Sequence, residues 1–300
     1  MAFGGRSRLS ELIKEVESMR NFSRKVLAAL ALSTFFMCAS TAVSFAAPDT
    51  PESTEQRTVT AEEAVALLTE AAGKGQSAAM LSLGSLYENG IGVPRNYTKA
   101  YEWYKKAADA KQAEGYYNLG VCYEIGMGVT ANADEAMNNF KKAADMKLPQ
   151  AFYKLSSVYL SGSLVKASNK EAISYLNKAS EAGHSLAANE LGVIYLNGML
   201  DQKPDGKKAL DMFVRSADLG NPEAMKNIAV IYKDGLSRDK DPVKALKWYL
   251  IAQQFGYQAA DIDEIITALK KPMKDEQVKS AESEAAKWVD AFKAKNADKS

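Results

Sequence analysis

Residues 79–108 read AMLSLGSLYENGIGVPRNYTKAYEWYKKAA, and the punctuation of this stretch returns four more times along a chain of 300 residues. Tyr87 is followed by Tyr123, Tyr159, Tyr195 and Tyr232, at steps of 36, 36, 36 and 37. Ala100 is followed by Ala136, Ala172, Ala209 and Ala245, at steps of 36, 36, 37 and 36. A period of this length marks stacked helical hairpins, in which each unit buries its apolar face only against its neighbours. The spacing predicts an all-α solenoid, a fold that presents an extended surface to partners and seldom an enclosed catalytic pocket.

Within each repeat the first helix carries a small residue, a leucine-like residue four on, and the tyrosine four beyond that. Ala79-Leu83-Tyr87 becomes Gly115-Leu119-Tyr123, Ala151-Leu155-Tyr159, Ala187-Leu191-Tyr195 and Ala224-Ile228-Tyr232. Spacing of i, i+4, i+8 places all three on one face. Gly84, Gly120, Ser156, Gly192 and Ala229 follow the leucine column and leave room for a neighbouring helix. Gly90, Gly126, Gly162, Gly198 and Gly235 stand three past each tyrosine, where a helix C-terminus favours a residue tolerant of positive φ. The second helix is expected to start at Asn96, Asn132, Ser168, Asp205 and Asp241, whose side chains accept from first-turn amides.

The repeats have two ends. Thr60 and Glu63 form a capping-box pair, and residues 60–75 match the second half of a unit, so the solenoid opens on a half-repeat. Five full repeats follow over residues 76–257. Beyond them Ile262, Ile265, Ile266 and Leu269 predict a short helix, Pro272 a break, and Asp275 to Phe292 an amphipathic helix. Residues 258–293 are expected to cap the last apolar face, and residues 294–300 to form a disordered tail.

The N-terminus predicts export. Met19 to Lys25 supplies a basic start, Val26 to Val43 an almost uninterrupted apolar run, and Ser44-Phe45-Ala46 small residues where a signal peptidase reads them. Residues 1–46 are therefore assigned as a signal peptide cut after Ala46, with translation starting at Met19, since Glu11, Glu15 and Glu17 fit no ordinary signal. The competing reading, a retained anchor, rests on the near-spanning length of the apolar run. Its Ser and Thr residues and the cleavage site favour removal, and no stable membrane insertion is expected afterwards. Residues 47–59 read as a flexible linker. Cys38 leaves with the signal, which keeps Cys122 alone and rules out an intramolecular disulfide. The expected location is the periplasm of a Gram-negative host, or otherwise the cell surface or the medium.

The whole chain holds 38 Lys and Arg against 37 Asp and Glu; past residue 46 the balance is 32 against 34, or −2. Near-neutrality argues against nucleic acid or anionic membrane as the main partner, since both need clustered cations.

These columns resemble the Sel1-like repeat family, a relative of the tetratricopeptide repeats. Leu83-Gly84, Tyr87, Gly90-Ile-Gly92-Val93, Ala100, Trp103 and Lys106-Ala107-Ala108 match its pattern at every point, and Leu119-Gly120 through Lys142-Ala143-Ala144 almost as well. The turn glycine becomes Leu164 in the third repeat and Leu200 in the fourth, where the turn also gains a residue between Met199 and Gly206. The resemblance implies a right-handed α-α superhelix whose first helices line a concave groove, and an adaptor role in bacterial envelopes, signalling, secretion or host contact. A cysteine-rich branch of the family is credited with β-lactam chemistry, but the cysteines that staple its repeats are missing here.

No catalytic constellation emerges. His184, the one histidine, has no Cys or His nearby to share a metal and follows Gly183 in a turn. Cys122 falls in an apolar column with Leu86, Val158, Ile194 and Ile231, which predicts an inert core thiol. The tyrosine column, Trp103 and Trp248 read as core at helical spacing. Ser168-Asn-Lys170 is a helix cap with the wrong spacing for an acylating serine, and Gly90-Ile-Gly92 follows a helix rather than a strand, so no nucleotide or other cofactor is expected.

One column invites a binding role. Ser82, Asn118, Lys154, Glu190 and Asn227 stand just before the leucine positions, with Ser85, Val121, Ser157, Val193 and Val230 three residues on. A polar row with apolar neighbours suits an extended peptide, whose backbone the amides can hold while the apolar positions take its side chains. The sequence thus predicts a non-enzymatic, monomeric, exported module that binds a protein or peptide. The alternatives are an envelope enzyme acting on β-lactam or cell-wall peptide, and a structural component that stacks end to end.

Overall fold

The computed structural model describes residues 60–236, 239–258 and 261–297. The expected signal peptide, the linker to residue 59 and the last three residues of the expected tail lie outside them. Among the described residues there are thirteen helices and no strand. Helix α1 (Ala61–Gly73) is followed by five hairpins: α2 (Ser77–Asn89) with α3 (Tyr97–Asp109), α4 (Ala113–Ile125) with α5 (Ala133–Asp145), α6 (Pro149–Ser161) with α7 (Asn169–Glu181), α8 (Ser185–Asn197) with α9 (Gly206–Ala217), and α10 (Pro222–Asp234) with α11 (Pro242–Gln254). Helices α12 (Ile262–Lys270) and α13 (Asp275–Asn296) follow. The described residues divide into two compact units, with the boundary between residues 143 and 144. In the first, α1 to α4 pack each against the next; in the second, α6 to α12 do so in series, and α13 lies on α11.

Local chemistry draws each hairpin. The first helix of every repeat ends at a glycine in the left-handed region, with φ between 66° and 72° at Gly90, Gly126, Gly162, Gly198 and Gly235. A side chain there would be strained by about 1–2 kcal/mol, so glycine ends the helix cleanly. The tyrosine carbonyl three residues earlier then accepts from the first capping amide of the second helix. Asn96, Asn132, Ser168, Asp205 and Asp241 donate their backbone N–H to Tyr87, Tyr123, Tyr159, Tyr195 and Tyr232 at 2.7–2.9 Å. The side chains of the same five residues accept from an amide three on at 3.0–3.3 Å. Each such cap contributes about 1 kcal/mol. The Thr60–Glu63 capping box closes the start of α1 in the same way.

Rings pack onto glycines inside the hairpin. A Cβ on Gly84 would lie 2.3 Å from the Tyr104 ring, on Gly120 2.5 Å from Phe140, and on Gly192 2.5 Å from Phe213. The small column thus admits a side chain of the second helix rather than a helix backbone. Where the ring column holds Leu176, the small column holds Ser156, and both are buried.

The turns between repeats share one backbone. Gly75, Lys111, Lys147, Gly183, Gly220 and Gly256 all have positive φ. Two lysines therefore occupy a left-handed position that glycine fills elsewhere. The enlarged fourth turn bends through Leu200 and Asp201, with φ of 53° and 63°, and the Asp201 carboxylate accepts from the Asn169 amide at 2.9 Å.

Two expectations need correction. The tyrosine column and Trp103 are half-buried rather than core, whereas Trp248 is buried as expected. Lys99, Lys208 and Lys244 place ammonium groups 5.0, 5.6 and 5.4 Å from the rings of Tyr87, Tyr195 and Tyr232. Where Glu135 and Glu171 replace the lysine, Tyr123 meets Tyr101 hydroxyl to hydroxyl at 2.9 Å, and Tyr159 stacks on Tyr175. The last helix also runs to Asn296, past the point where the tail was expected to begin, since Lys293 and Lys295 favour its C-terminal dipole. Trp288 and Phe292 on α13 form an aromatic cluster with Trp248 and Phe255, and bury the open side of the last hairpin.

Candidate protein-interaction site

On the first helices α6, α8 and α10 the residues facing outward recur at i, i+3, i+4 and i+7, the spacing of one helical stripe. In the second unit these are Gln150, Tyr153, Lys154 and Ser157 on α6, Leu186, Asn189, Glu190 and Val193 on α8, and Glu223, Lys226, Asn227 and Val230 on α10; all are half-buried or exposed. The predicted column occupies one edge of this stripe. Tyr153, Asn189 and Lys226, each one residue before it, form the other edge and escaped the sequence reading.

The two edges are joined from repeat to repeat. The Tyr153 hydroxyl donates to Glu190 at 2.5 Å. The Asn227 amide donates to Asn189 at 3.0 Å, and its oxygen accepts from the Lys226 ammonium at 2.9 Å. Lys226 also pairs with Glu223 at 2.6 Å and lies 5.7 Å from the Tyr257 ring centroid. The surface is therefore a network of pairs, in which Glu190 and Asn227 already have partners. Lys154 lies next to Tyr153 and is half-buried. Burial, then the bond to Glu190, pushes the Tyr153 hydroxyl up to about 12, so it stays a neutral donor.

His184 holds the start of α8. Its Nδ1 accepts from the Ala187 amide at 3.2 Å, which assigns the proton to Nε2, and its ring stacks on Tyr153 with centroids 4.3 Å apart. Burial lowers its pKa and keeps it neutral, as capping requires. This agrees with the turn role read from the sequence.

In the first unit the row departs from expectation. Ser82 is only 7% exposed, so its hydroxyl is largely withdrawn from the surface. Asn118 on α4 is half-buried beside Tyr117, and its side-chain amide makes no hydrogen bond among the described residues. Val121 follows on the same stripe.

Cys122 is fully buried, and desolvation, aided by the nearby charge of Glu88, pushes its thiol up to about 12, so it remains protonated. Among the described residues no three His, Cys, Asp or Glu side chains gather as a metal site, and no helix is long and apolar enough to cross a membrane.

The family model described as Sel1 repeat matches residues 77–111, 113–148, 149–184, 185–221 and 222–252. A solved Sel1 repeat protein from Oxalobacter formigenes is 30% identical over 78% of this chain and 94% of its own, with a TM-score of 0.60. A protective antigen present in uropathogenic Escherichia coli strains is 26% identical over 76% of this chain and 57% of its own, with a TM-score of 0.43. The immunity protein Pa5087 from Pseudomonas aeruginosa is 20% identical over 77% of this chain and 81% of its own, with a TM-score of 0.48. Comparison with curated proteins gives no match.

Proposed function

The chain belongs to the Sel1 repeat family, whose members are generally non-enzymatic scaffolds for protein–protein contact, and we propose that it is an exported adaptor that holds a peptide or protein segment on its first helices. The observation that carries this is the stripe of paired polar side chains with apolar gaps. In the second unit Lys154, Glu190 and Asn227 alternate with Ser157, Val193 and Val230, and Leu186 is 52% exposed at the edge of the same face; in the first unit Asn118 is followed by Val121 on its own helix. In the second unit the face is stable in water, because Glu190 and Asn227 already have polar partners, and it exchanges those bonds for a partner's backbone at small net cost. Ser82 takes no part. Export is supported by the basic start, apolar run and small residues at Ser44 and Ala46, and the chain then acts as a monomer in the envelope or outside the cell.

Crosslinking in cells followed by mass spectrometry would name the partner and its compartment. Asn118→Ala combined with Asn227→Ala should then weaken binding of that partner by about tenfold or more, measured with purified components. Unchanged affinity would remove the first-helix stripe as the binding face.

A further inference from the structure

A cleft of about 400 Å³ opens in the first unit, lined by Glu88, Asn89, Arg95, Tyr97, Ile125, Gly126 and Met127. The C-terminal turn of α2, the loop before α3 and the turn after α4 line it. Its volume lies at the small end of ligand sites, room for one or two residues rather than a folded surface.

Several of its polar groups are engaged within the protein. The Tyr104 hydroxyl donates to Glu88 at 2.5 Å, and the Asn89 amide donates to the Ser85 carbonyl at 2.9 Å. The guanidinium of Arg95 lies over the Tyr97 ring, 5.5 Å from its centroid, and the side chain is exposed. Among the described residues no carboxylate lies within ion-pair distance of it. An aromatic platform holds the flat guanidinium while leaving its N–H fork open, the arrangement that receives a carboxylate on two bonds. Beside it stand the most exposed large apolar side chain among the described residues, Ile125 at 64%, and Tyr97 at 43%. Water-exposed apolar surface next to an unpaired cation fits an apolar side chain that carries a carboxylate close by. Glu88 also lines the cleft, and its carboxylate disfavours a second negative charge on the ligand.

The geometry points to a binding site for the C-terminal residue of a peptide, with its carboxylate on Arg95 and its apolar side chain against Ile125 and Tyr97. This rests on the reading of the chain as a peptide-binding module, but not on the polar stripe of the first helices.

The test is an NMR titration of the ¹⁵N-labelled protein with acetyl-Gly-Gly-Leu as the free acid and as the carboxamide. The free acid should shift the amides of Arg95, Ile125, Gly126 and Met127 in a saturable way, and the carboxamide should bind about tenfold more weakly. Arg95→Gln should abolish that preference, and Ile125→Ser should weaken both ligands alike. Both positions are exposed, so amide dispersion should report intact folds. Equal binding of acid and carboxamide, an unaffected Arg95→Gln, or no shift around Ile125 would each overturn the site. Shifts confined to Glu190 and Asn227 would overturn it while leaving the first-helix reading in place. Saturable shifts here, with Asn118→Ala and Asn227→Ala inert toward the partner, would support this site and remove the stripe.

Discussion

His184 caps α8 through a neutral Nδ1, stacks on Tyr153, and so joins a helix start to the candidate binding face. A second proton would turn the acceptor into a donor, and would place a cation at the positive end of the helix dipole. Burial lowers the pKa below the ordinary 6.5. The unfolded chain therefore takes up the proton first as pH falls, and stability rises with pH through that window. The contribution is complete above 6.5 and is lost as pH drops toward the folded pKa. His184→Asn keeps a capping oxygen that does not titrate. Thermal melts between about pH 5 and 7 should show a shallower pH dependence for this variant than for the parent. Parallel profiles would mean that the cap is not what couples His184 to stability.

At the scale of the element, the hairpin is tuned by one pair of columns. An aromatic ring on the second helix lies on glycine in three repeats, whereas the third pairs Leu176 with Ser156. Both are buried, so the swap of ring for leucine conserves volume across the two helices. Leu176→Phe alone should overpack this hairpin and cost about 1–3 kcal/mol. Adding Ser156→Gly should restore most of that, since the ring then has the seat that Tyr104, Phe140 and Phe213 use. Denaturant melts of the two single variants and the double variant give the coupling energy directly. If the double variant is as unstable as the sum of the singles, the two columns do not meet in this repeat as register implies.

At the scale of the molecule, stability in a repeat array is carried by neighbour-to-neighbour contacts, so damage should stay near its source. Trp288 touches Trp248, Phe255 and Phe292 and is part-exposed, and its loss should cost about 2 kcal/mol, below the roughly 3–5 of a fully buried ring. In Trp288→Ala, hydrogen exchange should accelerate in α11 and α13 while α2 and α3 keep their protection. A uniform rise along the chain would show instead that the array unfolds as one body.

The sequence alone determined the period, the hairpins, their caps and their turn residues. Each of those depends on groups close together in the chain: a cap reaches three residues, and a tyrosine carbonyl nine, or ten in the enlarged fourth turn. Intrinsic preferences of Asn, Asp, Ser and Gly at such short range survive almost any tertiary context. The stripe at Asn118, Lys154, Glu190 and Asn227 was legible as a column, but its state was not. Tyr153 meets Glu190 across 37 residues and Asn227 meets Asn189 across 38, so those pairs depend on how one repeat is rotated against the next. The burial of Ser82 and the cleft around Arg95 have the same origin. Only the tertiary structure decides them, because the distance between side chains on neighbouring repeats follows from packing volume, which a repeating pattern of residue types does not encode.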